Sequence, residues 1–298
     1  MRLLTFTREG SGPHVGALLT DETLLDLTQA AAGDPVFSSL LSLIDSGDSG
    51  IARAQNLLSS HEFDEHALPI GAVRVLAPIP RPRKNVYCVG LNFRSHVEQN
   101  AAALGEQAQI PEVPLFFSKP VTAVIGPGDA IVLDERLTTK LDYEVELAIV
   151  IGRRGKWISA ADAPSHIFGY TIANDVSARD LQWRTSQFLY GKGQDTYCPL
   201  GPIIRTADEV DVSSLTLDLL VNDDLRQSES AGNMLFSPQE VVGWLSQGIT
   251  LEPGDIITLG TPGGCGYQLS PPQYLQSGDV VECRITSLGS LVNRVENA

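Results

Sequence analysis

Long apolar runs are missing from this chain. No stretch approaches the ~18 consecutive apolar residues that cross a bilayer, and the first residues, Met1-Arg2-Leu3-Leu4-Thr5-Phe6-Thr7-Arg8-Glu9, carry no apolar signal segment. The expectation is a soluble, cytoplasmic protein with no membrane partner. Cysteine is scarce. Cys88, Cys198, Cys265 and Cys283 form no CxxC pair and no zinc spacing with histidine, which argues against a zinc ribbon or a disulfide framework. Cys88 and Cys283 lie in apolar runs and are expected in the core. Basic residues are few: 21 against 36 acidic ones, a net charge of −15. Phosphate recognition needs the opposite balance, so nucleic acid is not an expected partner. Neither G-x-G-x-x-G nor a P-loop follows a strand, and there is no internal repeat.

What is present is enough apolar material for a sizeable core: 43% of 298 residues are hydrophobic and 19% charged. Residues 1–76 read as a small accessory domain. Residues 3–6 and 15–19 suggest a hairpin, 24–27 a further strand, and 36–45 and 49–59 two helices. His14 falls in an expected loop without a partner, and His61 and His66 in a solvated polar tail. Residues 77–84, Ala77-Pro78-Ile79-Pro80-Arg81-Pro82-Arg83-Lys84, are proline-rich and predict a linker, because proline fixes φ and removes a donor. Residues 85–298 read as a catalytic domain. Strands are expected at 85–89, 123–125, 130–133, 141–152, 167–174, 215–221, 255–260 and 279–285, and helices at 93–104, 177–185 and 237–247. Strands outnumber helices too heavily for a doubly wound sheet. The fold class is mainly β (α+β).

The most informative stretch is Leu141-Asp142-Tyr143-Glu144-Val145-Glu146-Leu147-Ala148-Ile149-Val150-Ile151-Gly152. Read as one strand, it puts Asp142, Glu144 and Glu146 on one face. Buried carboxylates repel and are costly to desolvate, so a positive charge must join them. An all-oxygen array suits Mg²⁺, Mn²⁺ or Ca²⁺. A solvated acidic face on an edge strand has the same pattern.

Four further segments can carry chemistry. Gly90-Leu91-Asn92-Phe93-Arg94-Ser95-His96-Val97-Glu98-Gln99 follows an apolar strand, and helical spacing places Asn92, His96 and Gln99 along one side. His96 there suits a general base or water activator, or is an incidental surface histidine. Asp175 sits at a strand-to-helix junction, as a metal ligand or a helix cap, and Arg179 with Asp180 reads as a structural ion pair. Lys192 is flanked by Gly191 and Gly193, which allow close approach to a ligand; an exposed loop lysine is the plain alternative. Residues 260–266, Gly-Thr-Pro-Gly-Gly-Cys-Gly, offer N–H groups for a carboxylate, or are simply a tight turn.

Taken in order, these segments resemble the fumarylacetoacetate hydrolase (FAH) family, in its acylpyruvase-like branch acting on 2-oxo acids. The matching signs are Gly-Leu-Asn-Phe before His96, Asp-Tyr-Glu-Val-Glu-Leu at 142–147, Asn-Asp-Val-Ser-Ala-Arg-Asp-Leu-Gln at 174–182, and Lys192 through Asp195 to Pro199-Leu-Gly-Pro. Val221-Asn222, Arg226-Gln227, and Leu251-Glu-Pro-Gly-Asp255 running to Gly260-Thr-Pro262 match as well. The resemblance spans roughly residues 80–297. It implies an FAH-type mixed β-sandwich roll with a small N-terminal α+β domain, usually as a homodimer. It implies a divalent ion, Mg²⁺, Mn²⁺ or Ca²⁺, held by Glu144, Glu146 and Asp175, with Asp142 in a supporting role. Lys192 would hold the oxygen that becomes an enolate, Arg94 and Thr261 would approach the substrate, and Gln182 would belong to the same block. The expected reaction is metal-dependent hydrolysis of a C–C bond in a small 2,4-dioxo acid through a metal-stabilised enolate, with His96 activating water.

One departure bears on that reaction. Family members often carry His-x-x-Glu, whereas the third residue after His96 is Gln99, which cannot take a proton. Glu98 is adjacent but faces about 100° away on a helix. His96 then acts alone or with another carboxylate, or Glu98 swings in, or no water is activated. The last possibility gives the alternative, oxaloacetate decarboxylation or keto–enol tautomerisation at the same metal site. A silent relative that binds a 2-oxo acid is a third option. All of this requires Glu144, Glu146 and Asp175 to converge on a single ion; side chains that diverge, or a salt-bridged lysine in the space between them, would leave the reaction without its engine and overturn the assignment.

Overall fold

The computed structural model describes residues 1–60 and 65–298. His61 lies outside them, and His66 is half-buried beside Glu65. The alternating N-terminal residues form three antiparallel strands, Arg2–Thr7, His14–Leu18 and Thr23–Asp26. His14 is therefore in a strand, not a loop, and its Nδ1 lies 2.8 Å from Asp26 Oδ2. Two helices, Leu40–Asp45 and Gly47–Ser59, cover this layer; Ser39 caps the first by accepting from the Ser42 N–H.

Arg2–Thr7 also pairs with Cys198–Thr206, Leu3 opposite Ile204. The N-terminal strands thus extend the sheet of the downstream residues. That sheet has twelve strands among the described residues. Its central order runs Arg2–Thr7, Cys198–Thr206, Ile167–Asn174, Val145–Ile151, Ile256–Thr258, Val86–Gly90, Leu115–Lys119. The proline-rich stretch between the two regions contains no element. It is nonetheless held: Thr5 Oγ1 donates to Pro78 O at 2.7 Å, and Lys84 Nζ lies 2.8 Å from Asp255 Oδ2.

A second sheet of five strands packs on the first, built from Asp224–Ser230, Thr216–Val221, Val280–Ile285, Gly289–Asn297 and Ile131–Leu133. Leu217, Leu219, Val281, Cys283 and Leu291 from it share one core with Leu147, Ile149 and Ile172. Burial of each such side chain contributes about 1.5–3 kcal/mol. The mainly β fold is the one the strand excess predicts.

Val145–Ile151 is buried along its whole length. Val145, Leu147, Ile149 and Ile151 face the second sheet. Ala148 and Val150 face the other way, into the core that includes Leu40, Leu43 and Ile44, and Glu146 shares their side by alternation. The expected single strand over 141–152 is broken at Tyr143–Glu144. Leu141–Asp142 forms its own ladder with Ser177–Ala178, so simple strand alternation does not carry through to Asp142. The expected helix over 177–185 is likewise shorter, Arg179–Gln182. The helix Arg94–Leu104 ends at Gly105, whose φ of 70° closes it in the left-handed region. The helix Pro238–Gly248 opens on a capping box between Ser237 and Glu240.

Candidate metal centre and cleft

Glu144 and Asp175 are brought together by backbone bonding across the break. The Asp175 N–H donates to Glu144 O at 2.9 Å, and Asn174 Oδ1 accepts from the Glu144 N–H at 3.1 Å. Glu146, two residues on, enters from the strand. Ligand oxygens of Glu144, Glu146 and Asp175 all lie within 4.8 Å of one another, and all three residues are buried. The donor set is oxygen only, which fits a hard divalent cation.

Charge explains the rest of the arrangement. Asp142, Glu144, Glu146 and Asp175 face three buried cations, Lys119, Arg179 and Lys192. Arg179 Nε donates to Asp142 Oδ2 at 2.9 Å and its Nη1 reaches Glu144 Oε1 at 2.7 Å. Lys119 Nζ pairs with Asp175 Oδ1 and donates to Val176 O at 3.0 Å. No ion pair reaches Glu146 among the described residues; its Oε2 accepts from the Gly260 N–H at 2.9 Å. Burial and the neighbouring Asp175 and Glu144 push the Glu146 carboxyl up to about 8. Burial also opposes ionisation of Glu144, but Lys192 and Arg179 overrule it and hold that carboxyl well below its usual range. Four carboxylates against three cations leave room for one more positive charge, at Glu146.

The lysine that counts against the metal reading is present. Lys192 Nζ lies 2.9 Å from Glu144 Oε2 and 2.7 Å from Asp175 Oδ2. It does not touch Glu146. Its stem is long and its ammonium carries no fixed geometry. Lys192 would therefore compete with a divalent ion for two of the three carboxylates, and an ion held by all three would have to displace it from at least one.

The cluster forms the floor of a cleft of about 170 Å³, whose walls include His96, Arg179, Gln182, Lys192, Thr261 and Tyr267. That is small beside the roughly 300–1,000 Å³ of sites for drug-sized ligands. Tyr267 stacks over the Arg179 guanidinium at 4.3 Å. Gln227 ties the acidic strand to the Thr261 loop: its Oε1 accepts from the Val145 N–H at 3.0 Å and its Nε2 donates to Thr261 Oγ1 and Pro262 O, both at 2.8 Å.

His96 lines the cleft, but the residues expected to assist it do not. Glu98 and Gln99 are exposed. Gln99 Oε1 accepts from the Gly264 N–H at 2.8 Å instead. Asn92 precedes the helix and is spent on Phe236 and Leu259 carbonyls. Arg94 is exposed and is not a wall residue. The partner of His96 is Gln268, which the sequence reading missed. Gln268 Oε1 accepts from the Gly264 and Cys265 N–H groups at 2.9 and 3.0 Å, which fixes its amide orientation. Its Nε2 then donates to His96 Nδ1 at 3.1 Å. The imidazole proton is on Nε2, which has no protein partner among the described residues. Burial outweighs the opposing pull of nearby Glu144 and, with Arg179 and Lys192 adding to it, lowers His96 to about 4, so the ring is neutral.

Two other expectations change. Most N–H groups of the 260–266 loop are already bonded within the protein. Gly260 donates to Glu146, and Gly266 and Tyr267 donate to Asp142 at 2.8 and 3.0 Å. Arg179 pairs with Asp142 and Glu144, not with Asp180, whose Oδ1 accepts from Thr138. Lys119 was not singled out; its only signal is a polar ending to the apolar Leu115-Phe116-Phe117 run.

Fold and cleft define a class. The family model described as fumarylacetoacetate (FAA) hydrolase, C-terminal, matches residues 85–296, and this chain belongs to that family. Among its relatives, the oxaloacetate tautomerase YisK of Bacillus subtilis (strain 168) is 42% identical over 291 residues, 94% of this chain and 95% of that protein. The human mitochondrial oxaloacetate tautomerase FAHD2A is 38% identical over 99% of this chain and 91% of its own length. Among solved structures, a fumarylacetoacetate hydrolase from Exiguobacterium antarcticum shares 36% identity, covers all of both chains and superposes with a TM-score of 0.83. The maleylpyruvate hydrolase of Sphingobium sp. SYK-6, in complex with manganese(II) and pyruvate, shares 29% over all of both chains with a TM-score of 0.79.

Proposed function

We propose that this chain is a divalent-metal-dependent enzyme that interconverts the keto and enol forms of a small 2-oxo dicarboxylic acid, with oxaloacetate as the first substrate to test. The observation that carries this reading is that no carboxylate orients His96: its Nδ1 is held by the Gln268 amide, and the carboxylate within reach, Glu144, is paired with Arg179 and Lys192. Activating water produces an imidazolium, which a carboxylate usually holds and orients. Here an amide occupies Nδ1, Glu98 is exposed, and Gln99 is bonded to the Gly264 N–H. Enolisation asks less of the ring, because a neutral imidazole can polarise a carbonyl by donating a hydrogen bond.

A divalent ion, Mg²⁺ or Mn²⁺, held by Glu144, Glu146 and Asp175 supplies Lewis acidity and a template for the 2-oxo acid. Lys192 and Arg179 place fixed positive charge beside the oxygen that turns anionic. Arg179 Nη2, buried without a partner among the described residues, is a donor left for a substrate carboxylate. Gln182 Oε1 accepts from Arg179 Nη1 at 3.0 Å and so orients that guanidinium. Thr261 closes the opposite wall. The tautomerase names of the relatives at 42% and 38% identity support the same reading.

The test follows decay of the enol absorbance of oxaloacetate. The Mg²⁺- or Mn²⁺-loaded protein is expected to accelerate enol-to-keto conversion without loss of carbon, chelation to abolish the effect, and His96→Gln to lower kcat at least tenfold. No acceleration with either ion contradicts the proposal. A second reading, C–C hydrolysis of a 2,4-dioxo acid, draws support from the likeness to the maleylpyruvate hydrolase. Pyruvate release from an acylpyruvate, with ¹⁸O from water in the released acid, selects it. A homodimer is the assembly we propose, tested by sedimentation.

A further inference from the structure

The His96 ring has an edge that the proposed reaction does not use. Nδ1 lies 3.7 Å from Cys265 Sγ. A ligand atom from each of His96, Cys265 and Glu144 lies within 4.8 Å of the other two, and all three residues are buried. In a tetrahedral site with metal–sulfur bonds of about 2.3 Å and metal–nitrogen bonds of about 2.0–2.1 Å, sulfur and nitrogen stand about 3.5 Å apart. Cys265 and His96 already hold close to that spacing. We propose that His96, Cys265 and Glu144 form a second metal site of mixed sulfur, nitrogen and oxygen donors. It takes a borderline-soft ion such as Zn²⁺, shares Glu144 with the carboxylate cluster, and when filled withdraws His96 from turnover.

Donor chemistry separates the two sites. Thiolate and imidazole select Zn²⁺, whereas three carboxylates select Mg²⁺ or Mn²⁺. The three donors come from separate, well-held elements. His96 rides on the helix Arg94–Leu104. Cys265 is fixed by its N–H to Gln268, next to Gly264, whose φ of 105° and lack of side chain let the loop pass Arg226 O; a Cβ there would lie 2.2 Å away. Glu144 is fixed by Asn174 and Asp175. Gln268 must release Nδ1 on binding, but its two bonds through Oε1 do not depend on that contact. Both Glu144 oxygens carry cations that an ion at this site would have to displace in part: Arg179, shared with Asp142, and Lys192, shared with Asp175. Coordination replaces the Cys265 thiol proton, one per ion, which passes to solvent; nothing is oxidised or reduced. Cys88, Cys198 and Cys283 are also buried, but among the described residues Cys265 is the cysteine with a histidine beside it.

The experiment titrates Co²⁺, a spectroscopic substitute for Zn²⁺, into the full chain at saturating Mg²⁺. The expected result is a thiolate-to-cobalt charge-transfer band that saturates at one ion per chain, is displaced by Zn²⁺ and is lost in Cys265→Ser and Cys265→Ala. Zn²⁺ inhibition of turnover is expected to weaken at least tenfold in both variants. No thiolate band, a band that survives both substitutions, or equal Zn²⁺ sensitivity in variants and parent overturns the proposal. The turnover arm rests on the proposed role of His96. The absorption arm does not, so it decides the site even where tautomerase activity is absent.

Discussion

Asp175 sits between two lysines, only one of which stands out in the sequence. Lys192 is conspicuous because glycines flank it. Lys119 ends an apolar strand and looks like any lysine at a strand exit, although it is fully buried. Local pattern reports backbone freedom, not which side chains a distant segment will meet, so Arg179, Gln268 and Lys119 were illegible while Glu144, Glu146 and Lys192 were not. Removing Lys119 leaves Asp175 short of a buried counter-charge, which costs about 3–5 kcal/mol. Lys119→Met is therefore expected to lower the denaturant-unfolding free energy by that order, read from urea curves in chelator. Glu146 makes a separate prediction for metal-free protein. Its carboxyl is raised from 4.5 to about 8 in the folded state, so the native form holds a proton that the unfolded form has lost between those values. Stability must fall as pH rises across that window, with the full cost above it. Urea midpoints of chelator-treated protein should decline from pH 5 to pH 8.5, and Glu146→Gln should flatten the slope. An unchanged slope in the variant would assign the effect elsewhere.

At the scale of elements, strands with clean alternation or β-branched runs were legible, and punctuated ones were not. Ile167–Asn174 falls on its expected span. Cys198–Thr206 is absent from the expected strands, since Pro199, Gly201 and Pro202 interrupt any strand pattern. The sheet accommodates them at an irregular register between Tyr170 and Ile172 on the neighbouring strand, where the missing N–H groups cost least. The break at Tyr143–Glu144 was also hidden, since pairing of Leu141–Asp142 with Ser177–Ala178 is a long-range fact. Short helices matter as much as strands here. Leu189–Lys192 carries the bridging lysine and packs tightly on Arg179–Gln182. A Cβ on Gly191 would lie 2.3 Å from Gln182 N and 2.4 Å from its Cα. Gly191→Ala must push the two helices apart and pull Lys192 off Glu144 and Asp175. The expected result is a loss of turnover of at least tenfold at constant metal, with a smaller change in thermal midpoint. Equal activity would show that the lysine's position is not critical.

At the scale of the whole molecule, the proline-rich stretch reads as a boundary, and the family match does begin just after it, at residue 85. The sheet does not stop there. Arg2–Thr7 lies against Cys198–Thr206, and Leu3, Leu25 and Phe37 share a core with Ala148, Val150 and Leu200. Proline marks where regular pairing halts locally but carries no information on where the chain returns. A chain lacking residues 1–76 would expose an open strand edge and an apolar face. We expect it to aggregate or to lose its cooperative melt, as seen by size-exclusion chromatography and circular dichroism. A soluble, monodisperse fragment with native ellipticity would make the boundary a real one.

Lys192 has one last consequence. Because its ammonium already answers Glu144 and Asp175, loading the proposed centre would be an ion exchange, not the filling of a charged void. Affinity for the ion would then be set as much by how readily that side chain swings aside as by the three carboxylates, and shortening it should tighten the grip on metal even as catalysis is lost.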